Sequence, residues 1–495
     1  MSEEIPFASN FVAGKWLPAL DRRRFSTVNP ATGESLGWVA DGDRADAEAA
    51  IAAARRAFDN PAWAQNPRRR QMVLTRWADR LELDMERLAR LLTLTNGKPL
   101  SHSAGEVGAA ISEIRYYAGL ARHIPGHAME VAPGEFATTF REPAGVAGLI
   151  VPWNAPGVLL VRALAPAIAA GCCSVIKVAP QTALFTARMI EALADVTELP
   201  AGAVNLIHES GNAGSQLLVE SDLTDVISFT GSTSVGKQIM AAAAGSMKKL
   251  SLELGGKSCC VVFADADIVT IAPRLAQAAT IISGQQCTAA RRILVHESRY
   301  DEMKAQLSAA LAAQVVGPGT EPATTMGPLI DRHSRDRVKR EFERTYDSCD
   351  EVIVKGGVPE GSNPDAAFLT PALVAQGDEN AFFCQEEIFG PLVVLERFST
   401  EEEAARKANN TVYGLSASVW TNDNATAWRL ARALKNGTIW INDHNKLFAE
   451  AETGGYRHSG LGRLHGYDAL ADFTELKNVY QNVGVLGASA GSARP

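Results

Sequence analysis

Residues 226–236 read Val-Ile-Ser-Phe-Thr-Gly-Ser-Thr-Ser-Val-Gly, a short β-branched run that breaks at a glycine and opens into a helix. Residues 148–151, 174–178 and 204–207 have the same texture and are bounded by Gly, Pro or Asn, with helical segments between them. Strands and helices that alternate in this way build a parallel, doubly wound sheet, which binds ligands at the carboxyl ends of its strands. We therefore predict an α/β fold with its functional residues in the loops after these strands.

A second α/β domain is predicted further along the chain. At 495 residues the chain is longer than one hydrophobic core usually supports. Before the first set of strands, residues 45–58 and 70–95 repeat apolar side chains at helical intervals. After it, alternation resumes at four further runs, residues 259–263, 293–295, 392–395 and 438–442.

Two segments outside these domains are extended. Residues 124–141 and 475–485 are predicted to pair with each other, and their exposed edges would favour pairing with another subunit. The last ten residues are small and polar, and we expect them to be disordered.

The composition narrows the class of protein. Apolar residues make up 46% and charged residues 21%, as in an ordinary globular enzyme, and the net charge of −8 gives no electrostatic reason to expect nucleic acid as a partner. The N-terminus has no apolar segment that resembles a secretory signal, and residues 157–173 are interrupted by Arg162 and Pro166. We therefore expect a cytoplasmic protein without a membrane span.

The cysteines do not have the spacing of metal ligands. Four of the seven form adjacent pairs within apolar runs, which predicts buried reduced thiols and no metal site: Cys172 with Cys173, and Cys259 with Cys260.

Cys287 is the candidate nucleophile. It lies in the polar sequence Gly284-Gln285-Gln286-Cys287-Thr288, after residues 276–282, which are predicted to be a packed helix. A thiol attacks an aldehyde as thiolate, and a loop of small residues lets a substrate approach while backbone N–H groups stabilise charge. The alternative is an ordinary buried cysteine, and this motif alone leaves both readings open.

Two further turns carry polar side chains suited to the same chemistry. Glu253 ends a strand-like run just before two glycines, and a desolvated carboxylate with a raised pKa can activate water. Asn154 stands in the proline-bracketed turn 151–156, where its amide could donate to an oxyanion. Alternatively, Glu253 is a surface carboxylate at a strand end, and Asn154 is a common turn residue.

The loop 229–236 is a candidate phosphate site. It follows a strand and opens a helix, so free N–H groups and the helix dipole favour an anion there. Its spacing matches neither a Rossmann fingerprint nor a Walker loop, so it could also be a plain strand-to-helix turn.

Taken together and in this order, these motifs resemble the aldehyde dehydrogenase superfamily over residues 11–485. Three more stretches match the family pattern: 387–391 (Glu-Ile-Phe-Gly-Pro), 409–419 with its Tyr-Gly-Leu, and 437–442 (Gly-Thr-Ile-Trp-Ile-Asn). The resemblance implies an aldehyde dehydrogenase-like α/β fold of two doubly wound domains plus a β oligomerisation arm. The implied boundaries are an NAD(P)-binding domain (1–123 and 144–253), a catalytic domain (254–474), the arm (124–143 and 475–487) and a disordered tail (488–495).

The resemblance also implies the reaction, which is NAD(P)-dependent oxidation of an aldehyde to the carboxylic acid by the non-acylating, hydrolytic route. Cys287 would form a thiohemiacetal and then a thioester, with the oxyanion held by Asn154 and the Cys287 N–H. Hydride would pass to NAD, with NADP possible, and water activated by Glu253 would release the acid. The partners implied are a small-molecule aldehyde and a second copy of the chain, in a homodimer or homotetramer.

The binding residues carried over from the family fall into two sets. The cofactor would be held by Lys177 at the adenosine ribose, Ser232 at the pyrophosphate, Glu387 at the nicotinamide ribose and Phe389 near the ring, with Trp153, Pro180, Gly211, Gly231, Val235 and Gly255. The substrate pocket would be lined by Ala155, Leu159, Arg162, Ile281, Gln286, Thr288, Leu447 and Thr453.

Three positions depart from the family pattern, and they bear on the choice of cofactor and on the path by which the general base exchanges its proton. Pro180 stands where the family often has a glutamate that binds the adenosine ribose, which leaves the choice between NAD and NADP open. Ala163 and Leu464 replace a lysine and a glutamate that many members link to the general base. We therefore expect the relay through that pair to be absent.

The sequence leaves several classes of aldehyde possible as the substrate. Ala155 and Thr453 replace larger apolar or aromatic family residues and predict a wider, more polar tunnel. Arg162 would suit an aldehyde with a carboxylate or phenolate, whereas Glu450 resembles a stretch of betaine- and aminoaldehyde dehydrogenases. Both could instead be surface or subunit-contact charges.

Two rival functions are a CoA-acylating semialdehyde dehydrogenase and a catalytically silent structural relative. Glu253 disfavours the first, because members of that branch typically lack this base. Cys287, Asn154 and Glu253 together disfavour the second.

Overall fold

A computed structural model describes residues 7–486, so the predicted disordered tail lies outside the described residues. The N-terminal part supplies edge strands and a helical layer to the first domain. Its elements are β1 (Phe7–Ala8), β2 (Asn10–Val12), β3 (Lys15–Leu17), β4 (Arg24–Val28), β5 (Ser35–Ala40), α1 (Arg44–Asp59), α2 (Pro61–Ala64), α3 (Pro67–Leu83), α4 (Met85–Asn96) and α5 (Leu100–Leu120).

The middle of the chain alternates strand and helix as predicted. Its elements are β6 (His127–Ala132), β7 (Glu135–Pro143), β8 (Val146–Val151), α6 (Pro156–Ala170), β9 (Cys173–Val178), α7 (Ala183–Ala194), β10 (Val204–His208), α8 (Ala213–Glu220), β11 (Val226–Thr230), α9 (Thr233–Ala243) and β12 (Lys249–Glu253).

The C-terminal half repeats the alternation. Its elements are β13 (Cys259–Val262), α10 (Ile268–Thr280), β14 (Arg292–His296), α11 (Tyr300–Ala312), α12 (Arg332–Tyr346), β15 (Glu351–Val354), β16 (Ala372–Ala375), α13 (Phe382–Gln385), β17 (Leu392–Phe398), α14 (Glu401–Asn409), β18 (Ser416–Trp420), α15 (Asn424–Ala433), β19 (Thr438–Ile441), β20 (Gly460–Leu461) and β21 (Thr474–Asn482).

The first large sheet has the order β20-β12-β11-β8-β9-β10-β2-β3, and strands β12 to β10 in this order are parallel. From β8 the chain moves outward through β9 and β10, then returns to β11 and β12 on the other side. The order therefore reverses between β8 and β11, and such a switch point opens a crevice at the carboxyl ends of the strands. The loops after β8 and β11, which hold Asn154 and Ser232, border that crevice.

The second large sheet has the order β15-β16-β17-β14-β13-β18-β19, and only β15 is antiparallel to its neighbour. Its five inner strands are almost entirely buried, as expected for a parallel sheet covered by helices on both faces, whereas the edge strands β15 and β19 are partly exposed. The loops that precede β13, β14 and β17 carry Gly255, Cys287 and Glu387.

The two extended segments pair, as the sequence predicts. Strand β21 runs antiparallel to β7 from Thr474 opposite Pro143 to Asn482 opposite Glu135, and β7 pairs with β6. This three-stranded sheet exposes apolar side chains, including Met129, Val131, Leu476 and Val479.

One predicted element is wrong in its bounds. The helix expected over residues 276–282 ends at Thr280, because Ile282 (φ 47°) and Ser283 (φ 54°) have left-handed backbone that an α-helix does not accommodate. The four paired cysteines are buried free thiols, as predicted. Within residues 7–486, no helix combines the length and the apolar character that crossing a bilayer would require.

Candidate active site

Two cavities meet at the three candidate catalytic side chains. One has a volume of about 350 Å³ and the other about 330 Å³, and Asn154, Glu253 and Cys287 line both. The sulfur is therefore not walled off inside the core. A group bound in one cavity and a group bound in the other can both approach it.

The loop before Cys287 has a constrained backbone. Ile282, Ser283 and Gly284 are consecutive left-handed residues, with φ of 47°, 54° and 73°. The Ser283 hydroxyl donates to the carbonyls of Gly327 (2.7 Å) and Pro328 (3.0 Å), and a Cβ on Gly284 would overlap the Gly390 carbonyl. A left-handed backbone conformation costs a non-glycine residue about 1–3 kcal/mol, and it persists where the surrounding structure holds the residue in place.

Asn445 fixes the residues on either side of Cys287. Its Oδ1 accepts hydrogen bonds from Gln286 Nε2 (2.7 Å) and Thr288 Oγ1 (2.6 Å). Next to it, His444 Nε2 lies 2.7 Å from the Thr288 carbonyl oxygen. Sequence reasoning missed Asn445, because nothing in its local sequence marks a residue that contacts a loop 157 positions earlier.

Cys287 rests as a thiol in this structure. Its pKa is raised to about 12, chiefly by burial; the carboxylates of Glu387 and Glu253 contribute to the rise, whereas Arg162 and the Thr288 N–H oppose it. Deprotonation of this thiol therefore requires a base or added positive charge nearby.

Glu253 is the last residue of β12 and is only 7% exposed. Within residues 7–486, its Oε1 is buried without a hydrogen-bond partner. Burial raises the pKa of this carboxyl well above its usual value; Arg463 and Arg162 oppose the shift, and Asp472 adds to it. A carboxyl group with a raised pKa exchanges protons readily with water, so Glu253 is suited to act as a general acid and base.

The peptide of Asn154 is held by buried donors. Its carbonyl oxygen accepts from Lys98 Nζ at 2.9 Å and from Asn96 Nδ2 at 3.4 Å. Asn154 is buried, with only 6% of its surface exposed. Even so, its side-chain amide makes no hydrogen bond in the described part of the chain. The amide is thus free to donate to a group at the junction of the cavities.

Lys98 and Glu106 form a buried ion pair that sequence reasoning missed. Lys98 Nζ contacts Glu106 Oε2, and the second oxygen of Glu106 accepts the Gly157 N–H (2.8 Å) at the first turn of α6. The pair therefore joins α5 to the start of α6, beside Asn154. No local sequence pattern predicts this ion pair, because the groups that it joins lie up to 56 residues apart.

The second cavity holds six of the ten predicted cofactor residues: Trp153, Gly231, Ser232, Gly255, Glu387 and Phe389. Ser232 caps α9 and lines this cavity, which puts the N-terminus of that helix where its N–H groups are able to hold an anion. The rings of Trp153 and Phe389 meet edge to face at 5.6 Å between centroids, and Phe389 has φ of 54°.

A glycine and a carboxylate complete the wall of the second cavity. Glu387 Oε1 accepts the Gly256 N–H at 3.1 Å, and a Cβ on Gly255 would overlap the Glu387 carboxylate. An aromatic pair, a helix N-terminus and a buried carboxylate fit a ring, a phosphate and a ribose hydroxyl. Arg337 also lines this cavity and was not predicted.

The other four predicted cofactor residues do not line either cavity described above. Lys177 is the penultimate residue of β9, with its Nζ 3.9 Å from Glu209 Oε1, and Pro180 starts the turn that follows. Gly211 is exposed just before α8, and Val235 is 40% exposed in the first turn of α9. They lie along the carboxyl edge of the first sheet, in continuation of the Ser232 loop.

All eight residues predicted to form the substrate pocket line the first cavity: Ala155, Leu159, Arg162, Ile281, Gln286, Thr288, Leu447 and Thr453. Glu450 is exposed and is not on its wall. Among residues 7–486, no group of three or more His, Cys, Asp or Glu side chains could hold a metal ion.

Comparison with known proteins identifies relatives along nearly the whole chain. Residues 16–479 match the model of the aldehyde dehydrogenase family. The chain is 37% identical to betaine aldehyde dehydrogenase of Bacillus subtilis (95% of this chain, 97% of the relative). It is 38% identical to the NADP/NAD-dependent aldehyde dehydrogenase of Escherichia coli (95% and 94%).

A solved structure has the same fold. Betaine aldehyde dehydrogenase of Staphylococcus aureus, crystallised in complex with NAD+, matches with a TM-score of 0.93 and 33% identity, over 98% of this chain and 97% of that chain. The predicted α/β fold class is confirmed by this match and by the two parallel sheets.

Proposed function

The chain belongs to the aldehyde dehydrogenase family, and from this premise we propose which of its residues carry the NAD(P)-dependent oxidation of an aldehyde to a carboxylic acid. One observation supports the assignment above all others: Cys287, Glu253 and Asn154 stand together where two cavities join. The first cavity receives the aldehyde and the second receives the nicotinamide end of the dinucleotide.

Each of the three side chains has one task. Cys287 Sγ attacks the aldehyde carbon, and its proton passes to Glu253 or to solvent. The side-chain amide of Asn154 and the N–H of Cys287 donate to the oxyanion that forms. The bound dinucleotide supplies the hydride acceptor. Glu253 then takes a proton from water, which attacks the Cys287 thioester and releases the acid.

Glu253 must exchange its proton without the family's lysine–glutamate pair. Ala163 and Leu464, which occupy those positions, offer no titratable group, and Leu464 lines the first cavity. We infer that water in the two cavities carries the proton. The same Glu253 argues against transfer of the acyl group to CoA, since a hydrolytic base at this place favours water.

Replacing Asn154 with alanine should lower kcat/KM for the aldehyde about 100- to 1,000-fold, the usual effect of removing one oxyanion donor. The KM for the dinucleotide should change little, because only the amide is removed. Steady-state kinetics, with the aldehyde and the dinucleotide varied in turn, measures both effects. Asn154→Asp, which keeps the shape and loses the donor, is the matched variant; if it retains full activity, the amide is not the oxyanion donor.

We propose that NAD is the cofactor and that NADP is also accepted. A carboxylate beside the 2′ position would repel a 2′-phosphate, and Pro180 occupies the place of that carboxylate, with the Lys177 ammonium nearby on the same sheet edge. Pro180→Glu should therefore lower kcat/KM for NADP+ by about 10-fold or more, through like-charge repulsion, and spare NAD+. An unchanged ratio of the two kcat/KM values would refute this role.

We propose a homo-oligomer, two domains that divide after Glu253, and a cytoplasmic location. The sheet of β21, β7 and β6 exposes apolar side chains, which supports a homodimer or homotetramer joined through this arm; sedimentation velocity measures the mass. The cofactor and catalytic domains divide after Glu253, in the segment that links the two large sheets. All seven cysteines are free thiols, which supports a reducing cytoplasm and is testable by cell fractionation.

A further inference from the structure

Arg291 is a buried arginine whose backbone is fixed by the second large sheet. It immediately precedes β14, which is a central strand of that sheet. Its N–H donates to the Ser258 carbonyl (3.1 Å), and its carbonyl accepts the N–H of Val394 in β17 (2.9 Å). Only 2% of Arg291 is exposed. The side chain therefore extends from a rigid point into the interior.

The guanidinium of Arg291 joins two loops of the active site. Its terminal nitrogens donate to the backbone carbonyls of Gly390 (2.6 Å), Gln286 (3.1 Å) and Gly284. The last two carbonyls belong to the loop that precedes the nucleophile. The first follows directly after the aromatic residue of the cofactor cavity. One side chain thus contacts both the nucleophile loop and the cofactor loop.

The charge of Arg291 has no close counter-ion. Among the residues that the structure describes, no carboxylate oxygen lies within 4.0 Å of it, and its Nε is buried without a partner. Burial lowers its pKa to about 10, with Glu387 and Cys287 opposing the shift, so the guanidinium stays protonated at neutral pH. An unsatisfied buried donor costs about 1–3 kcal/mol. Stability alone therefore gives little reason for an arginine at this position.

The carbonyl of Gln286 belongs to the same peptide group as the N–H of Cys287. This carbonyl accepts from Arg291 and also from the Ala289 N–H at 3.1 Å, which closes a tight turn around Cys287. Across the part of the chain that the structure covers, the Cys287 N–H itself donates to no group. Two donors on the carbonyl fix the plane of the peptide, and they strengthen its N–H as a donor because linked hydrogen bonds polarise one another.

The bond to Gly390 extends this support to the cofactor cavity. Gly390 follows Phe389, whose ring meets Trp153 in the wall of that cavity. The two loops are also in direct contact, since a Cβ on Gly284 would overlap the Gly390 carbonyl. A planar guanidinium presents its donors in a rigid fork. Arg291 therefore holds the two loops at a fixed separation.

We propose that Arg291 is a positioning residue for aldehyde oxidation, which holds the Cys287 N–H in place for the oxyanion and keeps the nucleophile loop in register with the cofactor loop. This role rests on the proposed function of Cys287. Attack of the sulfur on the aldehyde carbon moves an electron pair onto the carbonyl oxygen, and attack of water on the thioester does so again. Because both steps form an oxyanion, a displaced N–H should slow whichever step limits turnover.

Replacing Arg291 with methionine removes the fork and keeps an unbranched apolar side chain. It should lower kcat for the aldehyde about 10- to 100-fold, less than the loss of a whole oxyanion donor, because the N–H remains but is no longer held. The KM values for aldehyde and dinucleotide should change little, since Arg291 lines neither cavity. Steady-state kinetics measures both constants.

Arg70→Met is the matched control. Arg70 is 5% exposed and donates to three backbone carbonyls, those of Trp63, Ala64 and Ala169, and it lines neither cavity. Its replacement should leave kcat at the wild-type value even if thermal unfolding shows a loss of stability. An unchanged kcat in Arg291→Met, or an equal loss of kcat in Arg70→Met, would overturn the proposal.

Arg291→Lys separates the fork from the charge, and it carries the test if Arg291→Met does not fold. It should recover only part of kcat, because a single ammonium replaces the fork. Alkylation of Cys287 by iodoacetamide forms no oxyanion, so its rate in Arg291→Lys should match the wild type. Full recovery of kcat would show that charge alone suffices, and a loss of alkylation as large as the loss of kcat would place the defect at the sulfur. Either result would contradict the proposed role.

The ester p-nitrophenyl acetate distinguishes this inference from the proposed function. Its acyl group passes to Cys287 through an oxyanion as nitrophenolate leaves, so the reaction needs no dinucleotide. If the wild type cleaves the ester but oxidises no aldehyde, and Arg291→Met slows the cleavage, the proposed function fails and the role of Arg291 stands. If the wild type and Arg291→Met oxidise aldehydes with the same kcat, the role of Arg291 fails and the proposed function stands.

Discussion

Replacing Cys287 with alanine is expected to abolish aldehyde-dependent reduction of the dinucleotide, with a loss in kcat of at least about 1,000-fold, because enzymes that lose a covalent nucleophile lose most of their rate. Without the sulfur no covalent adduct forms, and neither Asn154 nor Glu253 can take its place. The absorbance of the reduced nicotinamide measures the rate. Binding of the dinucleotide should remain, since its cavity keeps the rest of its wall.

Cys349→Ala is the matched control for this experiment. Cys349 and Cys287 are the two cysteines that are not fully buried, and Cys349 lies in another part of the chain, just before β15. Its replacement should leave turnover unchanged, and aldehyde should still block thiol labelling at Cys287. Turnover in Cys287→Ala that matched the wild type would remove the nucleophile assignment, and with it the proposed mechanism.

Replacing Glu253 with glutamine is expected to separate the two halves of the reaction. Thioester formation should proceed and give a burst of reduced dinucleotide equal to the concentration of active sites. Hydrolysis should then slow about 100- to 10,000-fold, the usual contribution of a general base. Rapid mixing measures the burst, and mass spectrometry of the stalled enzyme should detect an acyl group on Cys287.

The pH dependence provides an independent measure of the same residue. Because burial raises the pKa of Glu253, the fraction of the base form grows as the pH rises through that shifted value. Steady-state turnover of the wild type should therefore increase with pH, and the residual hydrolysis in Glu253→Gln should lose this dependence. Glu297→Gln, at an exposed site on another strand end, should behave like the wild type.

Two results would contradict the assignment of Glu253. Undiminished steady turnover in Glu253→Gln would show that another group activates the water. Release of the stalled acyl group by added CoA at the wild-type rate would instead favour the acylating route.

The sequence predicted the framework of the fold because that framework depends on short-range patterns. The β-branched runs at 148–151, 174–178, 204–207 and 226–229 all became strands of the first sheet, with ends that moved by one or two residues. The motif around Cys287 was recognisable, whereas the helix before it ended earlier than predicted. Its last turn is replaced by left-handed residues that Gly327, Pro328 and Gly390 hold from distant parts of the chain.

By itself, the sequence determined the order of strands and helices, the family and the residue types at the reaction centre, since each depends on neighbours in the chain. Only the tertiary structure decided that Lys98 and Glu106 support Asn154 and that Asn445 fixes the loop of Cys287. The physical reason is that pairing and burial of charge depend on which distant segments the fold brings together. A side chain's partner, or its lack of one, therefore cannot be read from its sequence neighbours.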